Sequence, residues 1–241
     1  MDVGFENKNV LVTGATRGIG NKIANDMLLA GANVIATGTS EASLSLLNND
    51  FSKLCVDFLN PDSVKRFIDF LSNAEVDICV NNAGINKISP IVDIDVDDWS
   101  NIIEVNLTTP FKIIKTVSKN MIKNNYGRIV NISSIWGTIG REQRVCYSSS
   151  KFGLMGLTAS SAAELAKHNV LVNSVSPGFT LTDLTRNILG ADEMNKISKT
   201  IPMGRMADPS EISNVVMFMC SDLNSYISGQ NIIVDGGFTG V

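Results

Sequence analysis

Seven short runs rich in valine and isoleucine alternate with longer helical patterns from one end of the chain to the other, and few folds accommodate that order. The runs cover residues 10–13, 33–37, 53–56, 76–81, 128–132, 170–175 and 231–234. Unbroken apolar runs of this length predict strands buried on both faces. The stretches between them, 18–30, 40–47, 61–73, 97–124, 146–167 and 209–222, predict helices, with Pro61, Asp62 and Pro209 at helix starts. Strict alternation predicts an α/β fold, one parallel sheet with helices on both faces. The 241 residues, 44% of them apolar, suit one domain over 1–241 with a sizeable core. The segment 179–208 fits neither period, holds Gly190 and Pro202, and reads as a flap over a site.

A net charge of −4 offers no broad basic face, so a nucleic-acid partner lacks electrostatic support. Cys55, Cys79, Cys146 and Cys220 form no CxxC motif, and the one histidine, His168, reads as a surface residue. A zinc site and a disulfide framework are therefore not expected. Reduced thiols in a cytoplasmic protein are. The polar N-terminus is no signal peptide, and no apolar run approaches the length of a membrane span.

The stretch "NVLVTGATRGIGNKI", residues 9–23, places Gly14, Gly18 and Gly20 between a strand and a helix. A helix N-terminus presents unpaired N–H groups that favour phosphate, and glycine lets a pyrophosphate approach the backbone. The three glycines read as a dinucleotide cradle, against the plainer reading of a tight turn with no ligand. The region after the second run, "VIATGTS", carries no acid to hold ribose hydroxyls, while Arg17, Thr39 and Ser40 suit a 2′-phosphate. NADP(H) is expected over NAD(H); the plainer reading of Arg17 is a solvated loop charge.

Among the three tyrosines only Tyr147 has a lysine four residues on, Lys151, on the same face of a predicted helix. A free phenol, with a pKa near 10, exchanges protons poorly at pH 7. A neighbouring ammonium and a nicotinamide cation would lower it. Tyr147 could then protonate a carbonyl oxygen as hydride arrives, or take the proton back in reverse. Ser133 or Ser134, at the end of the fifth run, could hold that oxygen.

These motifs resemble the short-chain dehydrogenase/reductase family over essentially the whole chain, and within it the 3-oxoacyl-[acyl-carrier-protein] reductases. They are "TGATRGIG" at 13–20, Asp57, "NNAG" at 81–84, Asn106, Ser134, "YSSSK" at 147–151, "SPG" at 176–178 with Thr182, and "VDGG" at 234–237. The resemblance implies a Rossmann fold with a seven-stranded sheet and a homotetramer packed through two long helices. Ser134, Tyr147 and Lys151 would be catalytic, with Asn106 holding a water that links Lys151 to solvent. The loop with Thr16, Arg17 and Ile19 would hold cofactor, Asp57 the adenine amine, and Asn82, Ala83 and Gly84 the adenosine ribose. Lys151 would grip the nicotinamide ribose, and the residues from Pro177 and Gly178 to Thr182 would meet the carboxamide.

The chain departs from that branch near the substrate. Residues 85–95 read "INKISPIVDID", and the stretch before the tyrosine, "GTIGREQRVCY", carries Arg141 and Arg144, the latter where the branch has glutamine. Two cations there either pair with Glu142 or a neighbouring subunit, or clamp an anionic group of a polar substrate. Trp136 is either core or pocket wall, and Cys146 reads as packing. The leading expectation is an NADP(H)-dependent reductase of a ketone like that of the 3-oxoacyl thioesters. The alternatives are a related enzyme acting on a small polar or anionic substrate such as a sugar-derived intermediate, and a cofactor-sensing protein without catalysis.

Overall fold

A computed structural model of the chain describes residues 3–182, 185 and 190–240. Its strands are β1 (Asn9–Val12), β2 (Asn33–Gly38), β3 (Ser52–Cys55), β4 (Ile78–Asn81), β5 (Gly127–Ile132), β6 (Val170–Pro177) and β7 (Asn231–Val234). They form one seven-stranded sheet in the order β3-β2-β1-β4-β5-β6-β7, and every pairing is parallel. The seven expected runs are these seven strands, with ends shifted by up to two residues.

The period of two along the central strands explains why both faces are apolar. Val10, Val12, Ile78, Val80, Val130 and Ile132 point to one side, where they meet Ile23 and Met27 of α1 (Gly18–Leu29). That side also holds Ile212, Val216 and Met219 of α8 (Pro209–Cys220). Leu11, Cys79 and Ile129 point to the other. There they meet Phe67 and Leu71 of α3 (Pro61–Asn73) and Ile113, Val117 and Met121 of α5 (Thr109–Asn124). Ala162 and Leu165 of α6 (Val145–Leu165) complete that layer. Among the described residues the remaining α-helices are α2 (Glu41–Ser45), α4 (Val96–Ile103) and α7 (Ala191–Thr200). Between β3 and β4 the chain crosses from one edge of the sheet to its middle, which opens a crevice beyond the carboxyl ends of β1 and β4, where open α/β sheets bind ligands.

One helical expectation needs correction. The stretch 97–124 is not one helix: α4 and α5 are joined by a π-turn, Glu104–Thr108. Pro110 explains the break, because it has no N–H to return to the carbonyl of Asn106 four residues earlier. Within 179–208 the structure has α7, with Asp192 and Glu193 in its first turn and Lys199 in its last. Part of the expected flap, residues 183, 184 and 186–189, lies outside the described residues.

Candidate active site

The loop from β1 into α1 is held open by conformations that side chains resist. Gly14 and Gly18 have φ of 65° and 56°. A Cβ on Gly20 would lie 2.3 Å from Asn82 Nδ2 and 2.4 Å from the carbonyl oxygen of Gly14. Arg17 is the N-cap of α1 but makes no side-chain capping bond, so its guanidinium is exposed and the first-turn N–H groups carry no side-chain cap. These features fit a dinucleotide's pyrophosphate.

The loop is braced from β4. The Thr13 hydroxyl accepts the backbone N–H of Asn82 and of Ala83, both at 3.0 Å. Asn82 Nδ2 donates to the carbonyls of Thr13 and Gly14 at 2.9 and 3.0 Å. Its amide hydrogens thus tie two loops together, and Ala83 and Gly84 follow at the end of β4. Thr16 packs over Gly38 at the end of β2, where a Cβ would fall 2.4 Å from its methyl. Thr39 and Ser40 follow, both exposed, with the Ser40 hydroxyl capping α2 by accepting the N–H of Ser43 at 3.2 Å. Asp57 lies just past β3, exposed, with one carboxylate oxygen on the Leu59 N–H at 2.9 Å. From the far side, the Thr182 methyl sits 3.2 Å from a Cβ placed on Gly18, so the segment after Pro177 and Gly178 reaches over the glycine loop.

The crevice's other half is built by β5, the turn after it, and α6. Lys151 is only 3% exposed, and its Nζ donates to the carbonyl of Ile132 at 2.7 Å. Burial pulls its pKa down to about 8. Its Nζ stands 5.6 Å from the centre of the Tyr147 ring and 3.7 Å from a Cβ placed on Gly84, so α6 and the end of β4 converge on it. The Ser134 hydroxyl accepts the Trp136 N–H at 3.2 Å and, through its interaction with the phenol, favours the phenolate. Ser133 instead bonds the Lys151 carbonyl at 3.3 Å, a packing role.

The expected acidification of Tyr147 is not met within the protein alone. Burial is the largest influence and raises its pKa; Ser134 and then the Arg144 guanidinium lower it by less. The expectation counted the attraction of the ammonium but left out the dehydration of both groups. Arg144 is thus a cation that favours the phenolate here.

Asn106 enters from the π-turn. Its Oδ1 accepts the Ile85 N–H at 2.9 Å, and its Nδ2 donates to the Ile85 carbonyl at 2.9 Å and to Ser150 Oγ at 3.0 Å. Both amide hydrogens are used, so a water near Lys151 would meet Asn106 through an acceptor. Beneath the site runs a buried polar ladder, Asn81 to Asn131 to Thr158, each link 2.8 Å. Sequence reasoning passed over Thr13, Asn131 and Ser150, although polar residues closing otherwise apolar strands were the visible signal for the first two. It also passed over an aromatic cluster. Trp136, Phe179 and Phe238, from the turns after β5, β6 and β7, meet edge to face at 5.4–6.1 Å between ring centres. Trp136 is thus partly exposed cluster wall rather than deep core. The guanidinium of Arg141 lies over its ring at 4.9 Å. Among the described residues no carboxylate pairs with Arg141 or Arg144, so the expected alternative of a pair with Glu142 is not formed.

A family model described as "Enoyl-(Acyl carrier protein) reductase" matches residues 14–239. A 3-oxoacyl-[acyl-carrier-protein] reductase FabG of Aquifex aeolicus (strain VF5) is 42% identical, over 98% of this chain and 99% of its own length. The chain belongs to the short-chain dehydrogenase/reductase family. A short-chain type dehydrogenase/reductase from Mycobacterium marinum superposes with a TM-score of 0.89 at 31% identity, covering 99% of this chain and 98% of its own. A gluconate 5-dehydrogenase from Burkholderia cenocepacia J2315, solved with NADP and tartrate, gives 0.90 at 28%, covering 100% and 98%. Like these short-chain dehydrogenase/reductases, the chain is an oxidoreductase acting between alcohol and carbonyl groups. Among the described residues no group of three metal-ligating side chains gathers, and no helix is long and apolar enough to cross a membrane.

Proposed function

We propose that the chain is an NADP(H)-dependent reductase of 3-oxoacyl thioesters carried on an acyl carrier protein. The observation that carries the reading is the convergence of Ser134, Tyr147 and Lys151 at the mouth of a glycine-lined crevice, in a chain matching a 3-oxoacyl-[acyl-carrier-protein] reductase end to end. The bound cofactor supplies hydride to the carbonyl carbon. The protein does the rest: Ser134 holds the carbonyl oxygen, and Tyr147 gives it a proton as the C–O π electrons move onto it. Lys151 has one donor on Ile132 and two left for ribose hydroxyls, and with a pKa near 8 it can pass a proton back toward the phenolate near neutral pH. Asn106, tied to Ser150 of α6, would hold the water that links Lys151 to solvent.

Preference for NADP(H) rests on exposed Arg17 and Thr39, the absence of an acid at the end of β2, and Glu41 lying inside the first turn of α2. A cytoplasmic location is supported by four free cysteines, three of them buried. A homotetramer is supported by the half-exposed Phe111 on α5 and Phe152 on α6. The test is NADPH oxidation with an acetoacetyl thioester, repeated with NADH and with Arg17→Ala. Thioester-dependent turnover favouring NADPH, with the preference weakened in the variant, is expected. Absence of thioester turnover would overturn the substrate, and equal use of NADH the cofactor.

A further inference from the structure

A 3-oxoacyl thioester leaves two cations of the cleft unexplained. Arg144 is the N-cap of α6, three residues before Tyr147, so guanidinium and phenol share one face of the helix. The guanidinium is half-buried; burial most of all, and then the second cation, Arg141, disfavour its protonated form, while the Tyr147 phenolate favours it. Arg141 lies on Trp136, whose backbone N–H is itself bonded to Ser134 Oγ, and the Phe179 and Phe238 rings hold that indole from behind.

The loop between the two arginines is not loose. Gln143 takes the left-handed conformation at φ 61°, and its carbonyl accepts the Ser89 N–H at 3.2 Å, which pins it to the segment after β4. Such a backbone is uncommon for a side chain that is not glycine, asparagine or aspartate, and it persists where the surroundings enforce it. Two mutually repelling guanidinium groups are thus fixed at the mouth between Ser134 and Tyr147, with no carboxylate of the described residues to neutralise them.

We infer that the same centre also reduces small oxo acids, with the substrate carboxylate held by Arg144 a few bonds from the reacting carbon and Arg141 as the outer cation. Arg144 caps the first turn that carries Tyr147, and guanidinium and phenol act on each other, so a carboxylate on the one and a carbonyl oxygen at the other are within reach of one short molecule. The phosphate of a carrier's pantetheine arm stands many bonds from the thioester's ketone and cannot bridge the two. In the step, the carbonyl carbon accepts hydride from the reduced nicotinamide and the oxygen takes the Tyr147 proton. The ketone becomes a hydroxy acid and the cofactor its oxidised form, two electrons and one added proton in balance. This activity uses Tyr147 and so rests on the reductase reading of the centre, though not on the thioester.

The test compares small oxo acids with their methyl esters in NADPH oxidation, beside the acetoacetyl thioester. The acid should exceed its ester in kcat/KM by about tenfold or more. The excess should shrink as salt is added and disappear in Arg144→Gln mainly through KM, with Arg144→Lys intermediate. Acid and ester turned over alike by the wild-type chain, or a preference that survives in Arg144→Gln, would overturn the inference. Thioester turnover without acid turnover overturns it and leaves the reductase reading standing. Acid turnover with ester discrimination but no thioester turnover upholds it and removes the thioester, and no turnover of either removes both.

Discussion

Lys151 carries the sharpest statement at the scale of single residues. Its folded pKa of about 8 lies below the ordinary lysine value of 10.5. Between those values the unfolded chain binds more protons than the folded one, so this group's contribution to stability rises with pH across that window. Below pH 8 both states are protonated and the cost of burying the charge is constant. Measured against Lys151→Met by denaturant unfolding, the wild-type chain should therefore gain relative stability from pH 8 to 10.5, on the order of 1–3 kcal/mol, and show no slope from pH 6 to 7.5. A slope of the opposite sign would mean that the ammonium is stabilised in the fold. Tyr147 and Lys151 were legible in the sequence because their spacing puts them on one face of α6, and Ser134 because a hydroxyl follows the fifth run and matches the family motif. The balance of their proton affinities was not, because dehydration depends on what covers a group: Ile132 and the end of β4 around Lys151 are distant in sequence.

Elements show the same division. The start of α8 was plain from Pro209, and the structure adds a capping box in which Asp208 accepts the Ser210 N–H while Glu211 accepts the Asp208 N–H. Arg205 grips Glu211 through two 2.7 Å bonds and holds its carboxyl down at a pKa of about 2. Asp208→Ala should lower stability by about 1 kcal/mol in urea unfolding. The turn into α1 behaves otherwise. Gly20→Ala drives a methyl into Asn82 and the Gly14 carbonyl, so NADPH affinity by fluorescence titration should fall at least about tenfold even if the protein folds. Affinity matching the wild type would remove this loop from the cofactor site. The π-turn was the element least legible in advance. Apolar periodicity runs on through 97–124, and only Pro110 marks where the hydrogen-bond ladder must widen and deliver Asn106 to the site. Likewise α7 was hidden by its polar, poorly periodic sequence, although the acids in its first turn and Lys199 in its last are ordinary helix-end signals.

At the scale of the whole molecule, the sheet was legible because a strand buried on both faces writes an unbroken apolar run, and seven such runs leave little choice of architecture. What the sequence could not convey is which surfaces face water. Phe111 and Phe152 remain 48% and 46% exposed on the outer sides of α5 and α6, as expected for helices that meet their mates in an oligomer. If the proposed homotetramer forms through these helices, Phe152→Glu should give smaller species than the wild type by light scattering, with the far-ultraviolet spectrum retained; a monomeric wild-type chain would contradict that assembly. The topology sets the ends of β1, β4, β5 and β6 around one crevice, and the chemistry follows from what those ends carry. The most direct measurement is the rate of NADPH oxidation with an acetoacetyl thioester by the wild-type chain and by Tyr147→Phe, which keeps the ring and removes only the hydroxyl with its proton. The account predicts turnover by the former and a loss of at least about a hundredfold in kcat by the latter, with NADPH still bound. A Tyr147→Phe variant that works at the wild-type rate would contradict it.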